Sequence, residues 1–501
     1  VKQSPYATNN NPDTLLLKTL HHHFRVPSLY PYQELVIHSI LERAGFYGNR
    51  RQSKAHSRQL VILPTGSGKS LCFMLPALLI EGITLIVYPL LSLMNDQGRR
   101  IENLGYKAAI FRGGQHGTER ERMFHDLQNG TRRFVITNPE TLQGPSIMNR
   151  LKQLHIALLV VDEVHTVTQW GETFRPSYLE LHNAIRTVKP DQIIAFTATA
   201  SPRIIARITH ILFNGITPHI VKGDPDRPNI TYRVLPSLTP LHELEMLLRQ
   251  NTKLPAVIFC SSRRRCEQYA WELKRRIPPL AIRYYHAGLD PREREATEKW
   301  FFSAEDAVLV STSAYGMGID KRNIRTVIHA DTPQDIESFL QESGRAGRDG
   351  NPSRSIVLTP YEHFLNIDEQ QNEGSKERML NLFVQGTTCR REALLKEMGF
   401  PNDTCSGCDI CNHIRIGTPD GLWEILTLLR RYPFRFDAEH CAHLLTGSLA
   451  KSLVRPIDRA NPYLGLLSNW TEQDLSQAIA HLKRLGVVRT VRWWFLKGRL
   501  Y

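Results

Sequence analysis

Hydrophobic residues along this chain gather into short, dense runs rather than long alternations. Between about 58 and 212 the runs QLVIL, ITLIVY, RFVIT, ALLVVD and QIIAFT are rich in Val and Ile, with helical stretches between them. A strand buried on both faces reads as continuous apolar sequence, which is the situation in a parallel sheet covered by helices. The pattern restarts after the proline-rich bridge GDPDRPN at 223–229, with AVIFCSS, AIRYYHAG, AVLVSTS, TVIHAD and SIVLTP up to about 360. Two doubly wound parallel-sheet α/β domains in tandem are predicted. Beyond 366 the chain turns helical and polar. From GLWEILTLLRRYPF onward it reads as a small, mainly helical domain that ends in VVRTVRWWFLKGRLY, two β-type runs around a basic turn. The predicted divisions are a polar tail 1–14, α/β domains 15–215 and 216–365, a helical subdomain 366–414 and a C-terminal domain 415–501.

Composition narrows this picture in two ways. At 501 residues and 57.4 kDa the chain exceeds one ordinary core, and 41% hydrophobic with 22% charged residues describes a folded globular protein. No uninterrupted apolar stretch is long enough to span a bilayer, and the opening VKQSPYATNNNPDT lacks the layout of a secretory signal. A soluble intracellular protein with no membrane partner is expected. The net charge of +14 suits a polyanionic partner such as nucleic acid. From Lys483 to the end stand Lys483, Arg484, Arg489, Arg492, Lys497 and Arg499 with no Asp or Glu, which is either a DNA-contacting surface or a solvated face. The basic stretch FYGNRRQSKAHSRQ at 46–59 reads as a surface insertion.

Three segments carry phosphate chemistry. In LVILPTGSGKS a buried strand passes through a glycine turn, Thr65 to Ser70, into a helix. Gly66 and Gly68 let the N–H groups around Thr65 and Ser67 converge on phosphate oxygens at the helix N-terminus. Lys69 supplies a charge to the terminal phosphates and Ser70 a hydroxyl ligand for Mg²⁺. The usual pattern has another glycine where Leu63 stands, so this is a variant loop. In ALLVVDEVH a strand ends in Asp162 and Glu163, at the edge where open α/β sheets bind ligands. Asp162 can hold the metal and Glu163 can polarise the water that attacks the γ-phosphate of ATP. QESGRAGRDG at 341–350 offers Arg345 and Arg348 on a glycine-rich turn, suited to the negative charge that develops in phosphoryl transfer. Lys69 and Asp162 belong to the first α/β domain and the arginines to the second, so a nucleotide shared by both, and a cleft that opens and closes with hydrolysis, are expected.

Of eight cysteines, Cys72, Cys260, Cys266 and Cys441 are scattered and read as core residues. The other four, Cys389, Cys405, Cys408 and Cys411, have the spacing Cys-x15-Cys-x2-Cys-x2-Cys. Four thiolates make a closed tetrahedral Zn²⁺ site, and an iron–sulfur cluster takes the same number.

From about Phe24 to Cys411 the sequence resembles the superfamily 2 helicases, and within them the RecQ family of DNA helicases. The landmarks are YPYQELVI, LPTGSGKSLCF, YPLLSLMNDQ, NPETL, DEVHTVTQWGETFRPSY, FTATA, DRPNI, FCSSR, YHAGL, STSAYGMGIDK and QESGRAGRDG. Several are common to all such helicases, whereas QWGETFRPSY and the cysteine spacing are particular to RecQ proteins. The resemblance implies two RecA-like domains, a zinc subdomain and a winged-helix-like domain. It further implies that Gln33 reads adenine, that His165 with Thr197, Ala198 and Thr199 couples ATP to DNA, and that Gly318 and Asp320 lie near the ribose and phosphates. Arg348 is the implied arginine finger with Arg345 beside it, and the implied metal of the cysteines is zinc. Trp170, Phe174 and Arg175 are implied to sense single-stranded DNA; a buried aromatic pair is the plainer reading.

In the C-terminal domain, WTEQDLSQAIAHLKRLGVV resembles the winged-helix recognition helix, with Thr471 as N-cap and Glu472 and Asp474 in the first turn. RTVRWWFLKGRLY is the implied wing. Trp493, Trp494 and Phe495 either wedge against a base pair while Arg492 and Lys497 hold phosphates, or face the core. The chain departs from the family where adenine is read: Arg25, Val26 and Tyr30 replace a glycine, an aromatic and an arginine. Weaker selectivity for adenine is therefore expected. The expected function is ATP-dependent unwinding of duplex DNA, 3′-to-5′ as the resemblance implies, in recombination, repair or replication, acting on single strands and duplex junctions wherever the cell keeps its DNA, nucleus or nucleoid. The alternatives are an RNA-directed helicase of the same superfamily and an ATP-gated DNA-binding translocase without strand separation.

Overall fold

The computed structural model describes residues 11–48, 57–64, 66–166, 177, 180–250, 252–315, 321–365, 379–400, 404–414, 417–448, 461–491 and 498–501. The chain divides into two units, Val1–Asp226 with Glu397–Phe400, and Arg227–Lys396 with Pro401–Tyr501.

The first unit is built on seven strands: β1 (Arg58–Ile62), β2 (Ile83–Val87), β3 (Ala108–Ile110), β4 (Phe134–Thr137), β5 (Ile156–Val161), β6 (Gln192–Thr197) and β7 (His219–Lys222). They pair in parallel in the order β3-β4-β2-β5-β6-β1-β7. Successive residues of one strand enter different cores. Leu159 and Val161 of β5 pack in one, and Leu158 and Val160 in the other. This is why the apolar runs do not alternate, and each fully buried Val, Leu or Ile stabilises the fold by ~1.5–3 kcal/mol. Two predicted limits move. A helix, Pro12–Thr19, begins inside the expected 1–14 tail, because Asn11 caps it by accepting from the Asp13 N–H and Pro12 fits the first helical turn. The boundary expected at 215 falls short of β7, whose pairing with β1 carries the first sheet to Lys222.

The second unit holds β8 (Ile230–Ser237), β9 (Ala256–Phe259), β10 (Ala281–Tyr285), β11 (Ala307–Ser311), β12 (Thr326–His329) and β13 (Ser353–Pro360), parallel in the order β10-β11-β9-β12-β13-β8. β8 lies at the edge of this sheet, and the cysteine loop covers it. The Tyr232 N–H donates to Gly407 O at 3.3 Å and the Asp409 N–H to Tyr232 O at 3.0 Å, which adds a short parallel bridge at Cys408. Gly407, at φ 148°, holds a backbone conformation that side chains disfavour, and a Cβ there would lie 3.3 Å from Thr231.

The C-terminal part of this unit packs helices Leu422–Arg431, Ala438–Thr446 and Glu472–Arg484 around one core that also takes in Leu238. Thr471 caps the last helix as expected, accepting from the Asp474 N–H. Asp474 stands in the first turn of that helix as expected, and it is also fully buried, held by the Arg276 guanidinium at 2.5 and 3.1 Å. Nearby, His242 stacks on Trp470 with ring centroids 3.8 Å apart, and both rings donate to Asp420 Oδ2 at 2.9 and 3.1 Å. The two ends of the expected wing pair antiparallel through mutual Arg489 and Tyr501 N–H···O bonds of 2.8 and 3.0 Å. Its tip, including Arg492, Trp493, Trp494, Phe495 and Lys497, lies outside the described residues.

Candidate active site and metal centre

β1 is flanked by β6 and β7, so its C-terminal end opens onto the glycine turn with a rigid strand on each side. Gly66 and Gly68 have φ of 87° and 78°, the left-handed region in which glycine is at ease, and the helix Lys69–Leu79 starts at Gly68. Thr65 lies outside the described residues, and Ser67 is buried. A Cβ at Gly68 would come within 2.6 Å of Gln33 Nε2, so the loop and Gln33 are packed against each other.

Gln33 is almost wholly buried and uses both ends of its amide. Oε1 accepts from the Tyr30 N–H at 2.9 Å, and Nε2 donates to Ser67 O at 2.9 Å. Tyr32, which sequence reasoning did not single out, also donates to Ser67 O, at 3.3 Å. Its ring lies 5.5 Å from that of Tyr30 with 15° between planes, and Tyr30 is 60% exposed. Arg25 has φ 53°, a left-handed turn that would suit the glycine the resemblance implies here and that this chain makes with arginine.

Lys69 and Ser70 stand in the first turn of their helix, half-buried. Lys69 Nζ lies 3.7 Å from Glu163 Oε1. Asp162 continues the ladder past β5, its N–H donating to Val87 O at 3.0 Å, and its Oδ1 accepts the Glu163 N–H at 2.9 Å. Desolvation, then the neighbouring Glu163 carboxylate, pushes the Asp162 carboxyl up, against the pull of Lys69. Glu163 itself has φ 51°, in the left-handed region that is costly for a residue with a side chain. His165 Nδ1 lies 3.1 Å from Thr197 Oγ1 and 3.4 Å from Glu163 Oε2. Thr197 Oγ1 donates to Thr199 O at 2.9 Å, which leaves it free to accept from His165. Lys69, Glu163, His165, Thr197 and Thr199 thus form one polar chain in the first unit. Trp170, Phe174 and Arg175 lie outside the described residues.

In the second unit, Arg345 and Arg348 follow the helix Ile336–Ser343 on a turn where Gly347 has φ 55°. Arg345 is 4% exposed and Arg348 half-buried. Arg227 and Asn229 hold this turn, donating to the carbonyl oxygens of Gly344, Ala346 and Gly347. The sequence marked both only as members of the DRPNI landmark, and no spacing rule links them to a turn more than a hundred residues on. Gly318 and Asp320 lie outside the described residues.

The sulfurs of Cys389, Cys405, Cys408 and Cys411 all lie within 4.8 Å of one another. Tetrahedral Zn²⁺ with Zn–S of about 2.3 Å needs sulfurs about 3.8 Å apart, so these residues fit one ion. Burial raises the Cys408 thiol, but N–H groups of Cys411 and Arg390 aimed at its sulfur hold it below the usual thiol value, whereas burial and the neighbouring cysteines push the thiols of Cys405 and Cys411 up. The remaining four cysteines are buried core residues, as expected.

Residues 30–208 match the DEAD/DEAH box helicase family and residues 239–350 the helicase conserved C-terminal domain. The ATP-dependent DNA helicase RecQ of Pasteurella multocida is 32% identical over 452 residues, 86% of this chain and 70% of that protein. RecQ of Bacillus subtilis is 31% identical over 453 residues, covering 86% and 75%. Among solved structures, DNA-bound DUF1998 helicase MrfA has a TM-score of 0.57 at 18% identity, covering 100% of this chain and 63% of that one. The DEAD-box helicase Mss116 bound to single-stranded RNA has a TM-score of 0.55 at 17% identity, covering 74% and 79%. At these identities the solved structures speak for the fold, two RecA-like domains. The family rests on the sequence relatives: the chain belongs to the RecQ family of ATP-dependent DNA helicases.

Proposed function

We propose that the chain moves 3′-to-5′ along single-stranded DNA and separates duplex ahead of it, with ATP hydrolysed at Lys69, Asp162, Glu163, Arg345 and Arg348. The observation that carries this reading is the Lys69–Glu163 pair at 3.7 Å, in line with His165 and Thr197. The N–H groups of the Gly66–Gly68 turn and the Lys69 ammonium bind the ATP phosphates. Ser70 and Asp162 hold Mg²⁺, which when bound offsets phosphate charge. Glu163 orients the attacking water and takes up its proton. Arg348 acts as the arginine finger with Arg345 beside it, and guanidinium geometry suits the charge spread over the γ-phosphate oxygens. Gln33 meets the base with its remaining N–H and lone pair, and Gly318 and Asp320 serve the ribose and phosphates.

His165 relays the state of Glu163 to Thr197, Ala198 and Thr199, and so to the DNA-binding segment of Trp170, Phe174 and Arg175. The four cysteines bind one Zn²⁺; sulfurs this close enclose a single ion, whereas a cluster needs room for several irons and bridging sulfides. The ion is structural, since four protein ligands leave no open position. Helices 422–431, 438–446 and 472–484 with the paired ends at 489–501 act as the winged-helix-like DNA-binding domain. Trp493, Trp494, Arg492 and Lys497 engage the junction there. Comparing strand separation on 3′-tailed and 5′-tailed DNA duplexes tests the polarity: unwinding from the 5′ tail would overturn it.

A further inference from the structure

We propose that Arg227 is a positioning residue for the arginine finger, and that Arg391 fixes Arg227 from the cysteine-bearing segment. This rests on the reading of Arg345 and Arg348 given above. The helix Ile336–Ser343 ends with carbonyl oxygens that have no partner within the helix, and the turn that follows presents more of them. One guanidinium serves three. Arg227 Nη1 donates to Gly344 O at 2.9 Å, and Nη2 donates to Ala346 O at 3.1 Å and Gly347 O at 2.8 Å. These oxygens belong to the peptide units that join Gly344 to Arg345, Ala346 to Gly347 and Gly347 to Arg348. Their planes, and with them the directions in which the two arginine side chains leave the turn, are set by a rigid planar fork that a lysine does not reproduce.

The turn has no slack to absorb a loss. Asn229 Nδ2 adds bonds to Gly347 O at 2.8 Å and Asn351 O at 2.9 Å. A Cβ at Gly347 would meet Asn229 at 2.4 Å, Ser353 at 2.5 Å and the Asn351 carbonyl at 2.7 Å. Arg227 is itself held. Its backbone carbonyl accepts from Arg391 Nη1 at 3.1 Å, while Arg391 Nη2 donates to Ile230 O and the guanidinium lies 5.2 Å from the centre of the Tyr232 ring. Arg391 is 1% exposed and stands two residues after Cys389. Its neighbour Arg390 donates at 2.5 Å to Asp409, the residue after Cys408. Hydrogen bonds joined by short covalent links therefore run from the cysteine loops through Arg390, Arg391 and Arg227 to the arginine turn.

The test is steady-state ATP hydrolysis by the full chain at saturating single-stranded DNA, for R227K, R391K and R348A beside the parent. Thermal stability and zinc content are measured on the same preparations. R227K is expected to lower kcat by roughly a hundredfold, as misplacement of about 1 Å can do, with KM for ATP, Tm and zinc content unchanged. R391K is expected to show the same split in weaker form. Unchanged kcat in R227K while R348A has lost hydrolysis would overturn the positioning role alone. So would a kcat loss that follows a fall in Tm, since that is plain structural damage. If R348A hydrolyses ATP normally, the finger reading itself falls and the positioning role with it.

Discussion

Lys69 Nζ and Glu163 Oε1 stand 3.7 Å apart with side chains only 12% and 19% exposed, so the cation of the phosphate loop and the carboxylate after β5 partly neutralise each other. In such a site charges interact more strongly than in water. On the proposed roles, ATP phosphates would compete with Glu163 for Lys69 and leave Glu163 to face the attacking water. Glu163→Gln removes both the competing charge and the proton acceptor. Hydrolysis is expected to fall by about 10²–10⁴-fold while ATP affinity holds or rises. Phosphate release and equilibrium nucleotide titration check this. Parental turnover, or loss of nucleotide binding, contradicts it.

In the adenine segment the Gln33 amide gives one bond each to the Tyr30 N–H and Ser67 O and keeps one N–H and one lone pair for the base, so the departure lies in its neighbours. Tyr30, which stands where the family resemblance implies an arginine, is a 60%-exposed ring that stacks on Tyr32 and can lie against any nucleobase. ATP and GTP are expected to be hydrolysed with kcat/KM within about tenfold of each other, about 1.4 kcal/mol of discrimination. Tyr30→Ala is expected to raise KM for both. Strict preference for ATP sinks this reading of the adenine segment.

Cys408 is fully buried, and Asp409 beside it accepts from both Arg390 and the Val234 N–H of β8. Loss of the ion should loosen the edge of the second sheet as well as the loop, because metal binding and folding energy are coupled. Cys408→Ser is expected to lower zinc from about one per chain and to reduce solubility and Tm together. Metal analysis and thermal unfolding decide it; a zinc-free variant as stable and active as the parent would be the contrary result.

Glu243, in the first turn of the helix Pro240–Arg249, is pushed up to about 7, chiefly by burial and further by Asp420, with His242 opposing. Its folded value is above its ordinary value of 4.5, so its contribution to stability is full below about pH 4.5 and declines as pH rises towards 7. Glu243→Gln removes that decline. The Tm gain of the variant over the parent is expected to grow from pH 5 to pH 8, measured by thermal unfolding across that range. A gain that is flat or shrinks with pH contradicts the assignment.

What was legible in the sequence depended on burial. Ten strands announced themselves as apolar runs, nine of them with both faces largely covered; the tenth, β10, lies at a sheet edge with Ala281, Arg283 and Tyr284 exposed. The three that did not, β3, β7 and β8, are all sheet edges. β3 is a mere Ala-Ala-Ile, β7 has a mostly exposed side-chain pattern, and β8 alternates buried Ile230, Tyr232 and Val234 with less buried residues. Lys69, Asp162, Glu163 and the four cysteines were readable because their chemistry imposes local spacing. Arg227, Asn229 and Arg391 were not, since their partners are carbonyl oxygens, which any residue supplies. The first-turn place of Asp474 was legible as well, but its ion pair was not, since only the fold brings Arg276 to it.

The central claim is ATP-driven separation of DNA strands. The most direct measurement is unwinding by the full chain of three matched substrates: a 3′-tailed DNA duplex, a 5′-tailed DNA duplex and a 3′-tailed RNA duplex. The expected result is unwinding of the 3′-tailed DNA alone, dependent on ATP and abolished by Glu163→Gln. DNA-stimulated ATP hydrolysis with no strand separation on any substrate would contradict it.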